Sequence, residues 1–405
     1  MNTPAPRALI VGMGIGGLAT AMRLHEICWE PVIVERAPER RAAGYFIGLF
    51  ETGRATAQRM GVLDAIGDRT DLTSITYDVE RDGRRRPGTG YGDLPGGPRL
   101  ILRGDIEAAL YATVAPRTEI RYGTTPTALD EHPDGVDVTL RTTTGEDTSD
   151  TTERFDLVVG ADGLRSTVRR LVFGPDSQFM RPLNHIIAAT VMKEPLPGYR
   201  PQDGVVLAEP GRSVWTFPFA DHQPGLLFNY RTDNEDAQFR RPPIESLRAA
   251  FGPQPTGPVL EHLLQQFEQA DDYLFDSVHQ VEMDTWHTDR IVVLGDAAWC
   301  LTLYSGMGAS TAMAGADLLG TLLQRNPGNT PRALREWDQK LRPFMNTQQK
   351  SGRTQGLTMF VPQTRKDKAM RTAMQKVLTN RAGKKVMSTL MAKIFEEKSI
   401  DIAAV

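Results

Sequence analysis

The sequence predicts an α/β protein: a doubly wound domain with a parallel sheet, interrupted by a second, antiparallel sheet and followed by helices. Three observations predict this fold class. Residues 8–35 read as strand, glycine turn, helix and strand, and two later apolar strands, at 156–160 and 290–295, end in Gly-Ala-Asp and Gly-Asp. Residues 181–235 alternate in hydrophobicity as antiparallel strands do.

The first unit is the most regular part of the chain. Ala8 to Val11 is a short apolar run ended by glycine, Leu18 to Ile27 has a helical pattern, and Pro31 to Glu35 is a second strand. Because a strand–helix–strand connection returns the chain in the same direction, these strands should pair in parallel. The strands at 156–160 and 290–295 are expected to join the same sheet.

The segments between these strands have a different sequence pattern. Residues 76–97 are rich in Gly, Arg and Pro, and residues 135–155 read as a hairpin whose polar turn is TTTGEDTSDTT. After 181–235 come two amphipathic segments separated by a Gly/Pro loop. We therefore expect one discontinuous domain from 1–75, 98–180 and 283–345, a β-sheet domain from 76–97 and 181–282, and a helical segment over 346–405.

The C-terminal segment is basic. Residues 365–398 carry ten Lys or Arg against three Asp or Glu, and their apolar residues recur at helical spacing. A solvated helix face with an apolar underside is the default interpretation. A lid, a packing element and a surface for acidic partners are the alternatives, and membrane-surface binding is a minor hypothesis.

Composition excludes several classes of protein. A chain of 405 residues is too long for one hydrophobic core, and a net charge of −3 disfavours a nucleic-acid-binding surface over the whole protein. The two cysteines, Cys28 and Cys300, show no disulfide or metal-ligand spacing. We therefore expect no metal site. No apolar run of 18 residues occurs, so we expect no stable membrane insertion. The expected location is cytoplasmic.

The glycines at residues 12–17 predict a dinucleotide site. Gly12-Met-Gly14-Ile-Gly-Gly17 fits G-x-G-x-x-G, follows a strand and opens a helix. Gly12 permits the tight turn, Gly14 admits a pyrophosphate, and Gly17 allows close helix–strand packing. Glu35 ends the second strand, where a carboxylate can accept the ribose hydroxyls. The dinucleotide is either NAD or FAD on this motif alone.

Polar residues downstream favour FAD. Arg103 lies before a helix, Asp162-Gly163 ends one strand, and Asp296 ends another. An extended FAD, with its ribityl chain and second phosphate, needs such groups beyond the first unit. At Gly306-Met307-Gly308, backbone amides and the positive end of the following helix can approach a ring that becomes anionic on reduction.

With four motifs in order, the chain resembles the single-component FAD-dependent aromatic hydroxylases, the family of para-hydroxybenzoate hydroxylase and the tetracycline-inactivating monooxygenases. The motifs are GMGIGG with Glu35-Arg36, then LRGD at 102–105, DLVVGADGLRSTVRR at 156–170 and GDAAWCLTLYSGMGAS at 295–310. Together they span residues 8 to about 320. The resemblance implies a Rossmann-like FAD-binding domain interrupted by a β-sheet substrate domain.

The resemblance also implies the cofactor contacts. Glu35 would bind the adenosine ribose, Arg36 would lie by the adenine, and Arg103 would contact the phosphate–ribityl region. Asp162-Gly163 would serve FAD and NAD(P)H, Asp296 would hold the ribityl chain, and Arg41 to Gly48 would run beside the flavin. The full expected set is Gly12, Gly14, Ile15, Gly16, Gly17, Glu35, Arg36, Gly48, Arg103, Asp162, Gly163, Asp296, Gly306, Met307 and Gly308.

The reaction implied by the resemblance is reduction of FAD by NADPH or NADH, followed by capture of O₂ as a flavin C4a-hydroperoxide. That species would hydroxylate an aromatic or polycyclic small molecule, such as a secondary metabolite or antibiotic. The flavin carries the chemistry, so no catalytic side chain is assigned and no histidine is a convincing base. Electrons from a separate reductase remain open, as does a monomer or a homodimer.

Two alternatives are kept. One is a flavin enzyme of the same fold acting as a reductase or oxidase; a halogenase is disfavoured because no W-x-W-x-I-P string is present. The other is a non-catalytic flavoprotein that sequesters a small molecule.

The substrate residues are less clearly marked. Trp299 and Leu303 stand where the family commonly has His and Pro, which puts the geometry of the loop beside the flavin in doubt. Trp299 is either core packing, the favoured interpretation, or an aromatic wall. On a strand, residues two apart share a face, so we take Trp215 with Phe217, and Phe228 with Tyr230, as pocket candidates beside Trp299 and Leu303. Ordinary core is the competing interpretation.

Overall fold

A computed structural model describes residues 4–40, 45–88, 90, 98–378 and 397–404 of the chain. The segment 41–48, which we expected to run beside the flavin, is therefore described only from Tyr45, and residues 379–396 of the basic C-terminal segment lie outside the described residues.

The described strands are β1 (Arg7–Val11), β2 (Glu30–Val34), β3 (Phe46–Leu49), β4 (Thr76–Val79), β5 (Arg85–Pro87), β6 (Arg99–Leu102), β7 (Glu119–Arg121), β8 (Thr124–His132), β9 (Gly135–Thr144), β10 (Asp147–Phe155), β11 (Leu157–Gly160), β12 (Met180–Val191), β13 (Gly204–Glu209), β14 (Arg212–Phe217), β15 (Gly225–Arg231), β16 (Leu274–Val281) and β17 (Ile291–Val293).

The described α-helices are α1 (Ile15–Glu26), α2 (Glu51–Arg59), α3 (Leu63–Ile66), α4 (Arg103–Val114), α5 (Thr167–Val172), α6 (Asp176–Phe179), α7 (Glu235–Gln238), α8 (Pro243–Phe251), α9 (Gly257–Glu268), α10 (Asp296–Trp299), α11 (Gly308–Arg325), α12 (Thr330–Ser351), α13 (Leu357–Phe360) and α14 (Arg365–Leu378). A π-helical segment, Gly352–Gly356, joins α12 to α13, and short 3₁₀ turns occupy Ala115–Arg117, Leu303–Ser305 and Glu397–Ser399.

A five-stranded parallel sheet in the order β17-β11-β1-β2-β7 forms the centre of the cofactor half. Strand β1 pairs in parallel with both β2 and β11, and β11 pairs in parallel with β17. Strands β1, β2, β11 and β17 are almost wholly buried because helices cover them, which is why they are mostly apolar, whereas the edge strand β7 is partly exposed. The predicted pairing of the first unit with the strands near 156–160 and 290–295 is confirmed.

A seven-stranded sheet in the order β16-β12-β15-β14-β13-β4-β5 is the second large layer. Its pairs are antiparallel except for β13 with β4. Helices α8 and α9 cover one face with Leu247, Phe251 and Leu263, among others. Strands from both 76–97 and 181–282 contribute to this sheet, while the domain boundaries themselves remain a prediction.

The hairpin near residues 135–155 differs from the expected one. Strands β9 and β10 pair from Val136–Phe155 out to Thr144–Asp147, so the turn is only Gly145-Glu146. Gly145 has φ +63°, the left-handed conformation that a tight turn requires. Most of the polar run that we expected to be a turn is β-structure, because threonine suits an exposed strand.

The predicted fold class is therefore confirmed: a parallel sheet, further sheets and C-terminal helices. None of the helices in the described ranges is long and apolar enough to span a bilayer.

Candidate active site

An interior cavity of about 350 Å³ lies where the two large sheets meet. Its polar end is built from the segments that follow three parallel strands: Gly14–Gly16 after β1, then Ala161, Gly163 and Leu164 after β11, and Leu294–Asp296 after β17. The carboxyl ends of parallel strands lie at one edge of a sheet, and ligands of open α/β folds bind at that edge. The other end is apolar and faces the seven-stranded sheet.

The glycine turn has the close contacts that its sequence predicts. Gly12 has φ +102°, and a Cβ at this position would lie 2.5 Å from the backbone oxygen of Ala161. A Cβ on Gly17 would lie 1.9 Å from the oxygen of Gly12, so α1 can pack only without a side chain there. Gly14, in contrast, lines the cavity, and the nearest atom to its Cβ would be Arg103 Nη2 at 3.7 Å. Gly14 thus leaves space for a ligand rather than for the protein.

Glu35 supports this turn at the end of β2. Its carboxylate accepts hydrogen bonds from the amides of Met13, at 2.9 Å, and Ala37, at 2.8 Å. The carboxylate is therefore held beside the glycine turn, and its role toward a ribose stays a prediction. Arg36 is exposed at the surface and does not line the cavity.

Arg103 and Asp296 place opposite charges in the cavity. Arg103, in the first turn of α4, pairs with Glu107 at 2.7 Å. Asp296 lies deep in the protein. It is nevertheless accessible, because it lines the cavity. Burial raises the pKa of Asp296, and the guanidinium of Arg103 opposes that rise. The pair suits a ligand with both anionic groups and hydroxyl donors.

The Asp162 carboxylate has a structural task. It accepts hydrogen bonds from Ser166 Oγ at 2.5 Å and from the Thr167 amide at 2.6 Å, which caps α5. Gly163, with φ +77°, lines the cavity through its backbone. We expected both residues to contact the cofactor. In the structure Gly163 lines the cavity, and Asp162 instead holds the turn that presents Gly163.

The loop before α11 also divides into parts. Gly306 and Gly308 line the cavity together with Leu303, so the N-terminus of α11 points at this space. Met307 is fully buried, and its amide donates to Ser305 Oγ at 3.1 Å. Met307 thus anchors the loop in the core and is not a wall residue, contrary to its place in the expected set.

The apolar end of the cavity is formed by one face of the sheet. Ile187, Ala189 and Leu227 contribute, and Phe217 stacks on Phe46 with ring centroids 3.9 Å apart. Leu274 and Phe360 complete this wall. Of the residues proposed from the sequence as substrate contacts, Phe217 and Leu303 line this cavity, and their role toward a substrate stays a prediction.

The other four aromatic candidates do not line this cavity. Phe228 and Tyr230 face the opposite side of the sheet, in the core beneath α8 and α9, because the strand alternation places them out of phase with Leu227. Trp215 is on the cavity side but lies under Phe360, to whose backbone oxygen its indole donates.

Trp299 belongs to the core. Its ring packs against Trp286 and Trp337, with centroids 4.9 and 5.7 Å away, and its indole donates to Thr311. The structure therefore places Trp299 in the core, which is the interpretation that the sequence favoured. We remove Trp299 from the pocket candidates.

Arg169 is a positioning residue that sequence reasoning missed. It is fully buried, and its guanidinium donates to the backbone oxygens of Leu164 and Ala297 and pairs with Asp176. The residue lies inside a motif that we quoted, but a buried arginine has no signature that separates it from its exposed neighbour Arg170.

Comparisons with known proteins agree with this geometry. The family described as "FAD binding domain" matches residues 6–330. A flavin-dependent monooxygenase of an unknown prokaryotic organism is 27% identical over 85% of this chain and 88% of its own length. An FAD-dependent monooxygenase of Sarocladium schorii, asL4, is 24% identical over 85% of each chain.

Solved structures with the same fold include a tetracycline destructase and an FAD-bound protein. The tetracycline destructase Tet(55) is 25% identical, with a TM-score of 0.75 over 95% of this chain and 98% of that one. Klebsiella pneumoniae HpxO, crystallised with FAD and uric acid, is 17% identical, with a TM-score of 0.75 over 97% of each chain.

The chain belongs to the FAD-binding-domain family, within the FAD-dependent aromatic hydroxylases that the sequence motifs indicated. It is an FAD-dependent monooxygenase, and the non-catalytic alternative is set aside.

Proposed function

We propose that FAD lies across the carboxyl edge of the parallel sheet, with its ring in the cavity, and that NADPH or NADH reduces it. The substrate is an aromatic or polycyclic small molecule that lies against the seven-stranded sheet. The observation that supports this most is the polarity of the cavity. Its polar end, with Arg103 and Asp296, continues into an apolar end lined by Phe46, Phe217 and Leu227.

The polar end suits the diphosphate and ribityl parts of FAD. Gly14 lets a phosphate approach the first turn of α1, where unpaired amides and the helix dipole favour an anion. Arg103 adds a fixed positive charge next to that turn. Asp296 offers a carboxylate acceptor to ribityl hydroxyls, and Glu35 offers one to the adenosine ribose.

Helix α11 stabilises the ring. Gly308 and Ala309 line the cavity at its N-terminus, where first-turn amides have no partner within the helix. These amides favour negative charge on a nearby ring, and the reduced ring is anionic. FAD, when bound and reduced, supplies the oxygen-activating chemistry that a protein side chain cannot.

The apolar end orients the substrate and excludes water. Aliphatic side chains, namely Ile187, Ala189 and Leu227, lie on the same face of the sheet as Phe217, which stacks on Phe46. Flat aromatic molecules bury their faces well against such surfaces. Arg165 pairs with Asp276 at 2.6 Å, joining the turn after β11 to the sheet that bears the substrate wall.

The test is an oxygen-labelling experiment. Purified FAD-loaded enzyme is incubated with a panel of aromatic and polycyclic compounds, with NADPH or NADH, under ¹⁸O₂. We expect substrate-stimulated oxidation of the nicotinamide and a product that carries one ¹⁸O atom. Nicotinamide oxidation that yields only hydrogen peroxide across the panel, or an oxygenated product without ¹⁸O, whose oxygen then comes from water, would contradict the proposal. Reaction only after adding a separate reductase would correct the electron donor alone.

A further inference from the structure

The loop between α10 and α11, Cys300–Met307, is held in a conformation of unusual backbone geometry. We call it the flavin-side loop. Thr302 has φ +64°, which is uncommon for a residue with a branched side chain, and Gly306 has φ +68°. Ser305 Oγ donates to the Thr302 oxygen at 3.0 Å and accepts from the Met307 amide. Leu303 supplies no ring constraint on φ, so other contacts must fix the loop.

One set of contacts comes from the end of α12 and the π-helical segment. Gln349 Nε2 donates to the oxygen of Trp299, just before the loop, at 3.0 Å. A Cβ on Gly352 would lie 3.1 Å from the oxygen of Leu301, and a Cβ on Gly356 would lie 2.3 Å from the oxygen of Tyr304. The helix backbone therefore lies directly on the loop, and π-helical turns of this kind are common at functional sites.

A second set comes from the last described residues of the chain. Lys398 Nζ donates to the oxygen of Ser305 at 2.6 Å, and its ammonium lies 4.8 Å from the ring centre of Phe50. Thr52, at the start of α2, donates to the backbone oxygens of Lys398 and Ile400. Burial lowers the pKa of Lys398 to about 8, so the amine is still protonated at neutral pH.

We propose that these two C-terminal elements clamp the flavin-side loop, and that Gly356 and Lys398 are positioning residues for the flavin ring. They act through Tyr304 and Ser305, which precede Gly306 and the N-terminus of α11. The loop conformation decides how closely the α11 amides approach the ring. This inference rests on the proposed placement of FAD, since Gly306 and Gly308 matter for the cofactor only if the ring lies beside them.

The first experiment measures the loop in the apoprotein and so does not depend on FAD. Hydrogen–deuterium exchange of peptides covering residues 299–310 is compared in wild type, Lys398→Met, Lys398→Arg and Gly356→Ala. We expect exchange about fivefold faster or more in Lys398→Met and Gly356→Ala, in line with the loss of one hydrogen bond or a displaced backbone. Lys398→Arg should retain much of the protection. Lys368→Met is the matched control. It removes a lysine of α14 that pairs with Glu80, and it should exchange like wild type.

The second experiment reads the flavin itself. The visible absorbance spectrum and the reduction potential of bound FAD should change in Lys398→Met, and Lys398→Arg should restore them. Should Gly356→Ala fail to fold, Gly352→Ala tests the same contact at its milder 3.1 Å approach.

Unchanged exchange in Lys398→Met and in the glycine variant would overturn the clamp. Faster exchange with an unchanged spectrum and potential would overturn the positioning role. Wild-type protein with a protected loop but no affinity for FAD would instead contradict the proposed placement of FAD, so the two failures are distinguishable.

Discussion

The guanidinium of Arg169 donates to the backbone oxygen of Ala297 at 2.9 Å, which ties the turn after β11 to the turn after β17. A second nitrogen of the same group donates to Leu164 at 2.7 Å. The two turns present Gly163 and Asp296 to the cavity. One buried side chain therefore sets the distance between two proposed contacts of the cofactor.

Replacing Arg169 with Met should destabilise the fold and weaken FAD binding together. Two buried carbonyl oxygens would lose their donors, which costs roughly 3 kcal/mol in the free energy of unfolding. Denaturant unfolding and an FAD titration measure the two effects. Arg170→Met is the control, because Arg170 is largely exposed, and it should change stability by no more than about 0.5 kcal/mol. Wild-type FAD affinity in Arg169→Met would show that the two turns need no such tie.

Asp296→Asn should separate cofactor binding from stability. We expect FAD affinity to fall about tenfold, since a charged acceptor for hydroxyl groups becomes a neutral one. The apoprotein should become more stable at pH 7, because burial raises the pKa of this carboxyl group and its ionisation in the fold is therefore costly.

The sign of the pH dependence follows from that raised pKa. The cost in wild type is fully present above the folded-state pKa and disappears once the pH falls below the ordinary carboxyl value. The stability gain of Asp296→Asn should therefore be largest at neutral pH and vanish in acid. Asp289→Asn, at an exposed carboxylate, is the control and should show no such gain. A destabilised Asp296→Asn apoprotein with undiminished FAD affinity would remove Asp296 from the site.

Substitution of Trp299 should lower stability without changing the substrate KM, whereas substitution of Phe217 should raise the substrate KM. Trp299→Phe loses the bond to Thr311 and part of the three-tryptophan cluster, which should cost about 2 kcal/mol of stability and leave the substrate KM unchanged. Phe217→Ala removes a cavity wall, so its KM should rise about tenfold while FAD stays bound.

Phe228→Ala is the control for the Phe217 variant. It removes a phenylalanine from the neighbouring strand, but on the face that packs on Phe251 and Phe267. Denaturant unfolding and steady-state kinetics are measured on all three variants, to separate loss of stability from a change in the substrate KM. A raised substrate KM in Trp299→Phe or Phe228→Ala, measured where the variant is fully folded, would contradict the wall assigned here.

The parallel sheet and the glycine turn were predictable because their signals are local. Gly12, Gly14 and Gly17 each have a distinct steric reason that follows from one strand–turn–helix unit. The correct pairing of distant strands followed from their shared apolar character and terminal acidic residues.

The pocket was less predictable, because it depends on strand register. Trp215 and Phe217 share a face, and so do Phe228 and Tyr230, but which face lies toward the cavity depends on which side of the whole sheet α8 and α9 cover. Phe360 and Lys398 reach the site from far along the chain, and no local pattern marks them.

The placement of FAD is tested most directly by titrating the apoproteins of wild type and Gly14→Ala with FAD. Gly14 has φ −73° and ψ −174°, a conformation that alanine adopts freely, and its Cβ would have no protein atom closer than 3.7 Å. The variant should therefore fold with wild-type stability while its FAD affinity falls at least about tenfold, since the methyl group occupies the space of the pyrophosphate. Gly61→Ala, at a left-handed glycine that does not line the cavity, should lose some stability and bind FAD normally. Equal FAD affinity in Gly14→Ala and wild type would contradict the proposed position of the cofactor.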